Sequence, residues 1–164
     1  MIVITEASSP LGLALAKQLN EHNFNYLVLS DTSLSLADEQ IKNVQYWHYI
    51  PKSNLATWIE ENSEEIEFLV CCEPIDQNPS DHFLSLWRLG HKHQIPVIGL
   101  GSSRETAEKV ISQEHSPFFW KILLTKDGNS DAKSKNTAEA IYHFIRNRQN
   151  SGICTLEELI SQLS

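Results

Sequence analysis

The chain has 164 residues, 41% of them hydrophobic, and a formal net charge of −8. That length and apolar share support one domain with a real core and leave little room for a second. The acidic balance disfavours nucleic acid and anionic membrane surfaces as partners, and no apolar run reaches membrane-spanning length. The three cysteines, Cys71, Cys72 and Cys154, are an odd number with one adjacent pair, which does not make a disulfide framework. Strand residues begin at Met1 with no basic region before them, so no secretory leader is expected and the cytoplasm is the default compartment.

The apolar run at the start predicts a buried parallel strand from Met1 to Thr5. Ser9 is placed to cap a helix over Leu11–His22, with Pro10 as its first residue. A second strand is expected over Asn25–Ser30. A connection over Asp31–Asn43 follows, with one helical turn near Leu36–Ile41, and then a third strand over Val44–Ile50. Pro51 is expected to open a helix in which Leu55, Trp58 and Ile59 recur at helical spacing. The acidic run Glu60, Glu61, Glu64 and Glu65 reads as a solvated face.

Ile66–Cys72 is continuous in apolar character and predicts a central fourth strand, with Glu73–Pro79 as a loop. Ser80 caps the next helix, which runs to about His93 and carries Phe83, Leu84, Leu86, Trp87 and Leu89. That stripe is wider than one buried face requires. Ile95–Leu100 predicts a fifth strand, Arg104–Gln113 a short helix, and Pro117–Leu124 a sixth strand carrying Phe118, Phe119 and Trp120. Thr125–Lys135 is polar, with a turn at Asp127-Gly128-Asn129. Thr137–Gln149 predicts a helix, and Thr155 with Glu158 forms a capping-box pattern for a last one. Strands and helices alternating in this order imply an α/β fold. It is a Rossmann-like, doubly wound parallel sheet with helices on both faces, in a single domain over 1–164.

A dinucleotide-binding turn needs glycines at three places, and this chain has Glu6, Ser9 and Gly12 there. Even so, Met1–Gly12 resembles the opening of the extended short-chain dehydrogenase/reductases, the NAD-dependent epimerase/dehydratase family, whose pattern is Thr-Gly-x-x-Gly-x-x-Gly. Asp31 falls where that family holds the adenosine ribose; as residues alone, Ser30-Asp31-Thr32 reads equally well as a turn. More narrowly, Tyr49-Ile50-Pro51-Lys52 with Leu55-Ala56-Thr57-Trp58-Ile59-Glu60 is similar to a segment of the ADP-L-glycero-D-manno-heptose 6-epimerases. Ile66–Val70 and Gln94–Ile98 sit where that family has its fourth and fifth strands. The resemblance reaches to about Ser103, in a shortened and degenerate form, and the substrate domain of the family is largely missing.

The resemblance implies proton transfer by a tyrosine, helped by a lysine four residues on and by a serine just after the fifth strand. Ser102 and Ser103 occupy the serine's place, where they also read as a helix N-cap. No Tyr-x-x-x-Lys occurs in the chain. The residues that would face a cofactor are Glu6, Ser9, Pro10, Leu11, Gly12 and Asp31. A carboxylate at Glu6 would repel a pyrophosphate. No cofactor is therefore expected, and NAD or NADP would be the one if any. No metal site is expected either, because His91 and His93 are two apart on a helix and point to different sides.

These observations point to a degenerate NAD(P)-binding-fold protein, non-catalytic and acting by binding a partner or a ligand. One alternative is an active epimerase, dehydratase or reductase with a site rearranged around Asp31, Ser102 and Ser103. Another is a structural subunit paired with an intact paralogue. The wide stripe on Ser80–His93 is the expected contact for a protein partner or a homodimer.

Overall fold

The computed structural model describes residues 1–32, 41–117, 119–125, 131–148 and 150–161. The expected helical turn over 36–40, Phe118 and the turn at Asp127-Gly128-Asn129 lie outside the described residues. Seven strands are seen: β1 (Ile2–Ile4), β2 (Leu27–Asp31), β3 (His48–Pro51), β4 (Phe68–Ile75), β5 (Val97–Gly101), β6 (Trp120–Leu124) and β7 (Gly152–Thr155). The helices are α1 (Pro10–Glu21), α2 (Leu55–Asn62), α3 (Asp81–His93), α4 (Arg104–Gln113), α5 (Asp131–Asn147) and α6 (Leu156–Ser161).

The strands form one sheet in the order β3-β2-β1-β4-β5-β6-β7, and every pairing is parallel. The chain runs outward from β1 to β3, returns to the centre at β4, and runs outward the other way. The order therefore reverses between β1 and β4, which is the place where such sheets open a crevice at their carboxyl ends. Strand alternation sorts the core into two layers. Ile2, Ile4, Leu27, Leu29, Phe68 and Val70 face α1 and α5, whereas Val3, Val28, Leu69, Val97 and Ile122 face α2, α3 and α4. Among the described residues no helix is long and apolar enough to cross a membrane.

The caps form as their sequences require. Ser9 Oγ accepts the Gly12 amide at 3.0 Å, with Pro10 as the first helical residue, and Ser80 Oγ accepts the Phe83 amide at 3.0 Å. The Thr155–Glu158 box closes both ways, at 2.8 and 3.1 Å.

Several boundaries differ from the sequence reading, each for a local reason. The third strand starts at His48 rather than Val44 because the Asn20 side chain holds both backbone groups of Gln45, at 2.7 and 2.9 Å, before the ladder begins. Pro51 closes that strand, and a 3-10 turn, Lys52–Asn54, precedes α2. The sixth strand starts at Trp120, not Pro117. α5 begins at Asp131, six residues before Thr137, and ends at Asn147. β7 was not foreseen; it is four residues long, starts at a glycine and pairs with β6 alone among the described strands. Most consequential for the site, β4 does not stop at Cys72. It passes through Glu73 and Pro74 to Ile75, with a register shift against β5 between Val70 and Pro74 that accommodates the proline.

Much of the stripe on α3 is covered from within the chain. Phe83, Leu86, Trp87 and Leu89 are buried within the chain. Trp87 lies 5.8 Å from Phe83 and 5.9 Å from Trp120, ring centre to ring centre, and α2 packs on the same helix. The sheet, α2 and Trp120 together cover these four side chains, and Leu84 on the same helix is half-buried.

Candidate functional site

A crevice of about 870 Å³ opens at the carboxyl ends of the strands. Glu6, Ser9, Pro10 and Leu11 line it from the β1–α1 turn, Lys52 from the end of β3, and Cys72, Glu73, Pro74 and Asp76 from β4. Leu100 and Ser102 close it beside β5, and Ser134, Thr137, Thr155 and Leu156 form the far wall. Among the described residues its carboxylate side chains are Glu6, Glu73, Asp76 and Glu157 and its lysines Lys52 and Lys133. The lining therefore carries more carboxylates than ammonium groups.

The turn that opens the crevice is set by two backbone facts. Glu6 has φ +48°, the left-handed region that a glycine would adopt without cost. Gly12 fits because a Cβ there would lie 2.4 Å from the Glu6 carbonyl oxygen and 2.8 Å from Ala7 Cα. Gly12 is thus a packing residue that brings α1 against the turn. Ser9, one residue before α1, spends its hydroxyl on the Gly12 amide. The helix N-terminus, where a phosphate would be received, is capped from within the chain.

The centre of the site is an ion bridge. Lys52 Nζ lies 2.5 Å from Glu6 Oε1 and 3.5 Å from Glu73 Oε2, so one ammonium ties the β1 turn to the exit of β4. All three side chains are about three-quarters buried, with 24%, 25% and 28% of their surface exposed. Burial alone would lower the Lys52 pKa, but the bond to Glu6 and the charges of Glu6 and Glu73 outweigh it and hold the lysine above its usual range. Lys52 is therefore firmly cationic and already engaged. His82, in the first turn of α3, is pushed below its ordinary pKa, by burial first and then by the Lys52 charge. The repulsion expected from Glu6 is consequently not that of a bare carboxylate, because Lys52 neutralises it.

Asp31 is 4% exposed and does not line the crevice. One of its oxygens accepts the Ser8 amide at 2.7 Å and the Ser8 hydroxyl; the other accepts the Thr32 amide at 2.6 Å. Burial would raise its pKa, but the hydrogen bonds from Ser8 and Thr32 prevail and hold the carboxyl below its ordinary value. The turn-former reading of Asp31 describes this geometry, and the same contacts tether the β1–α1 turn to β2.

Of the two serines, Ser103 Oγ caps α4, accepting the Thr106 amide at 3.2 Å. Ser102 lines the crevice and donates to the Ile75 carbonyl at 3.2 Å. None of the four tyrosines lines the crevice. Burial pushes the Cys72 thiol up to about 12 and raises Cys71 further, so neither is a nucleophile at neutral pH. His91 bonds the Ser116 carbonyl through Nδ1 at 2.8 Å while His93 lies near Glu60, so the two diverge as their spacing implies.

Glu6, Ser9, Pro10, Leu11 and Ser102 thus meet at one site, and Gly12, Asp31 and Ser103 stay behind it as framework. Lys52 and His82 are the site residues that sequence reasoning misses; Lys52 enters it only within the Tyr49–Lys52 resemblance.

No protein-family model matches the sequence, and no curated protein matches it. Solved structures do. A short-chain dehydrogenase/reductase from Vibrio parahaemolyticus superposes with a TM-score of 0.66 at 16% identity, over 94% of this chain and 99% of that one. The UDP-glucose 4-epimerase of Thermus thermophilus, solved with NAD, gives 0.65 at 9% identity, over 94% and 76%. The Bordetella bronchiseptica enzyme WbmH, in complex with NAD+, gives 0.63 at 10% identity, over 92% and 73%. At these identities the likeness establishes the fold alone, the Rossmann-like α/β fold of those structures.

Proposed function

We propose that this chain is a non-catalytic binding protein of epimerase-like descent, cytoplasmic, whose crevice takes a ligand other than an intact NAD(P). The observation that carries this reading is the Glu6–Lys52–Glu73 bridge, at 2.5 and 3.5 Å, laid beside the capped N-terminus of α1. A dinucleotide needs free amides and a bare turn at that place. Here a left-handed glutamate, a serine hydroxyl and an engaged lysine occupy it, and Asp31 is turned to Ser8 and Thr32. The residues present do not fit the cofactor. The acid–base pair of the resembled family has no counterpart in the lining either, since no tyrosine reaches the crevice. The narrower descent, from heptose 6-epimerases, rests on the Tyr49–Lys52 and Leu55–Glu60 segments.

Calorimetric titration with NADH and NADPH tests the proposal. No binding is expected at micromolar concentration, and micromolar affinity for either, or turnover of a sugar nucleotide above background, would overturn it. The double variant Glu6→Gly with Ser9→Gly removes the charge, relaxes the left-handed residue and leaves Lys52 paired with Glu73 alone. It should raise NADH affinity by about tenfold or more, which corresponds to about 1.4 kcal/mol.

A further inference from the structure

Among the described residues the large hydrophobic side chains left exposed are Tyr26, Tyr46 and Trp47, at 47%, 39% and 46%. Single exposed apolar residues carry no message, but two of these, Tyr26 and Trp47, adjoin. Tyr26 immediately precedes β2, and Tyr46 and Trp47 precede its neighbour β3. They lie at the amino ends of the strands, the end of the sheet opposite the crevice, so this surface is separate from the site described above.

The rings are held in place. Trp47 lies 4.9 Å from Tyr26 and 4.2 Å from His48, ring centre to ring centre. The Tyr26 hydroxyl donates to Glu65 Oε2 at 3.4 Å. Tyr26 also shares a shallow concavity of about 330 Å³ with Asn23, Asn25 and Glu67. Glu65 and Glu67 are both exposed; Glu67 Oε1 lies 3.4 Å from the Met1 ammonium, which also donates to the Glu65 backbone carbonyl at 2.7 Å, so the two glutamates face one positive charge. The patch therefore joins aromatic faces to carboxylates, and both attract the same kind of group. An aromatic face draws a cation through its quadrupole, and a carboxylate draws it through its charge. Guanidinium suits this pairing best, because it stacks flat on Trp and Tyr while its N–H fork bonds carboxylate oxygens. The acidic run ahead of β4, which reads as mere solvation in the sequence, supplies one wall of this surface through Glu65.

We propose that the Tyr26–Trp47 surface, with Glu65 and Glu67, docks an arginine-bearing segment of a partner protein. The test is fluorescence anisotropy of a dye-labelled peptide of alternating arginine and glycine, titrated with the full chain. Saturable binding is expected. Trp47→Ala and Tyr26→Ala should each weaken it by about tenfold, with the fold unchanged by circular dichroism. Glu65→Gln combined with Glu67→Gln should weaken it and flatten its dependence on salt. A peptide with citrulline in place of arginine, which keeps the shape and loses the charge, should not bind. No saturation at millimolar protein, equal affinity of the Trp47→Ala variant, or equal binding of the citrulline peptide would each overturn the proposal. A dimer by light scattering that Trp47→Ala dissociates would also overturn it, since the surface would then belong to a second copy of the chain.

Discussion

Glu6 holds a left-handed backbone at φ +48°, and for a residue with a Cβ that conformation costs about 1 kcal/mol. The bond to Lys52 offsets this cost and holds the strained turn in place. Asp31 secures the other side of the same turn through the Ser8 amide and hydroxyl. Its folded pKa is depressed, so its stabilisation is fully present above the unfolded-state value of about 3.9 and is lost as pH falls through the folded one. Asp31→Ala should cost about 2 kcal/mol at pH 7, because charge-assisted hydrogen bonds are lost and their donors stay part-buried. Urea unfolding between pH 7 and pH 2 checks this. The wild type should lose its advantage over the variant on acidification below pH 4, and an equal gap at pH 7 and pH 2 would contradict the assignment.

At the scale of elements, α3 places its largest side chain in the core. Trp87 is 0% exposed and meets Phe83 and Trp120, and its indole nitrogen is buried without a hydrogen-bond partner among the described residues. Trp87→Ala should therefore cost about 3–5 kcal/mol by opening a cavity. Trp87→Phe should cost less, since it also removes the unpaired N–H. Trp87→Glu would unfold the chain rather than dissociate an assembly, because the position is interior. Denaturant midpoints of the three variants rank these effects. A Trp87→Glu chain with a wild-type midpoint would return the helix to the surface.

For the molecule as a whole, the crevice depends on both flanks of the sheet. Lys52 arrives from the β3 side, and Thr155 and Leu156 arrive from β7 and α6 on the other. Deleting the chain from Gly152 onward would strip β6 of one of its two neighbours and remove Cys154 and Leu159 from the core. The loss should be about 3 kcal/mol or more from buried apolar surface alone. It would show as a lower urea midpoint with a changed slope, and an unchanged midpoint would mean that this flank is dispensable.

The alternating pattern of the sequence by itself determined the α/β class, the parallel sheet and the helix caps at Ser9, Ser80, Ser103 and Thr155. Each of these rests on local spacing or on one side chain reaching a nearby amide. It also exposed the weakened nucleotide turn, because a glycine position filled by Glu6 or Ser9 is visible residue by residue. Tertiary structure alone decided the rest. Lys52 meets Glu6 across 46 positions of chain, and no local pattern encodes that approach. Glu73 enters the site because β4 continues past its apolar run by pairing with β5, and propensity does not foresee a strand extended through Pro74. The partners of the Asp31 carboxylate depended on where Ser8 came to rest, and the burial of Phe83 and Trp87 on α3 depended on Trp120 and α2. In each case the deciding neighbour is distant in sequence, and only the folded chain brings it into contact.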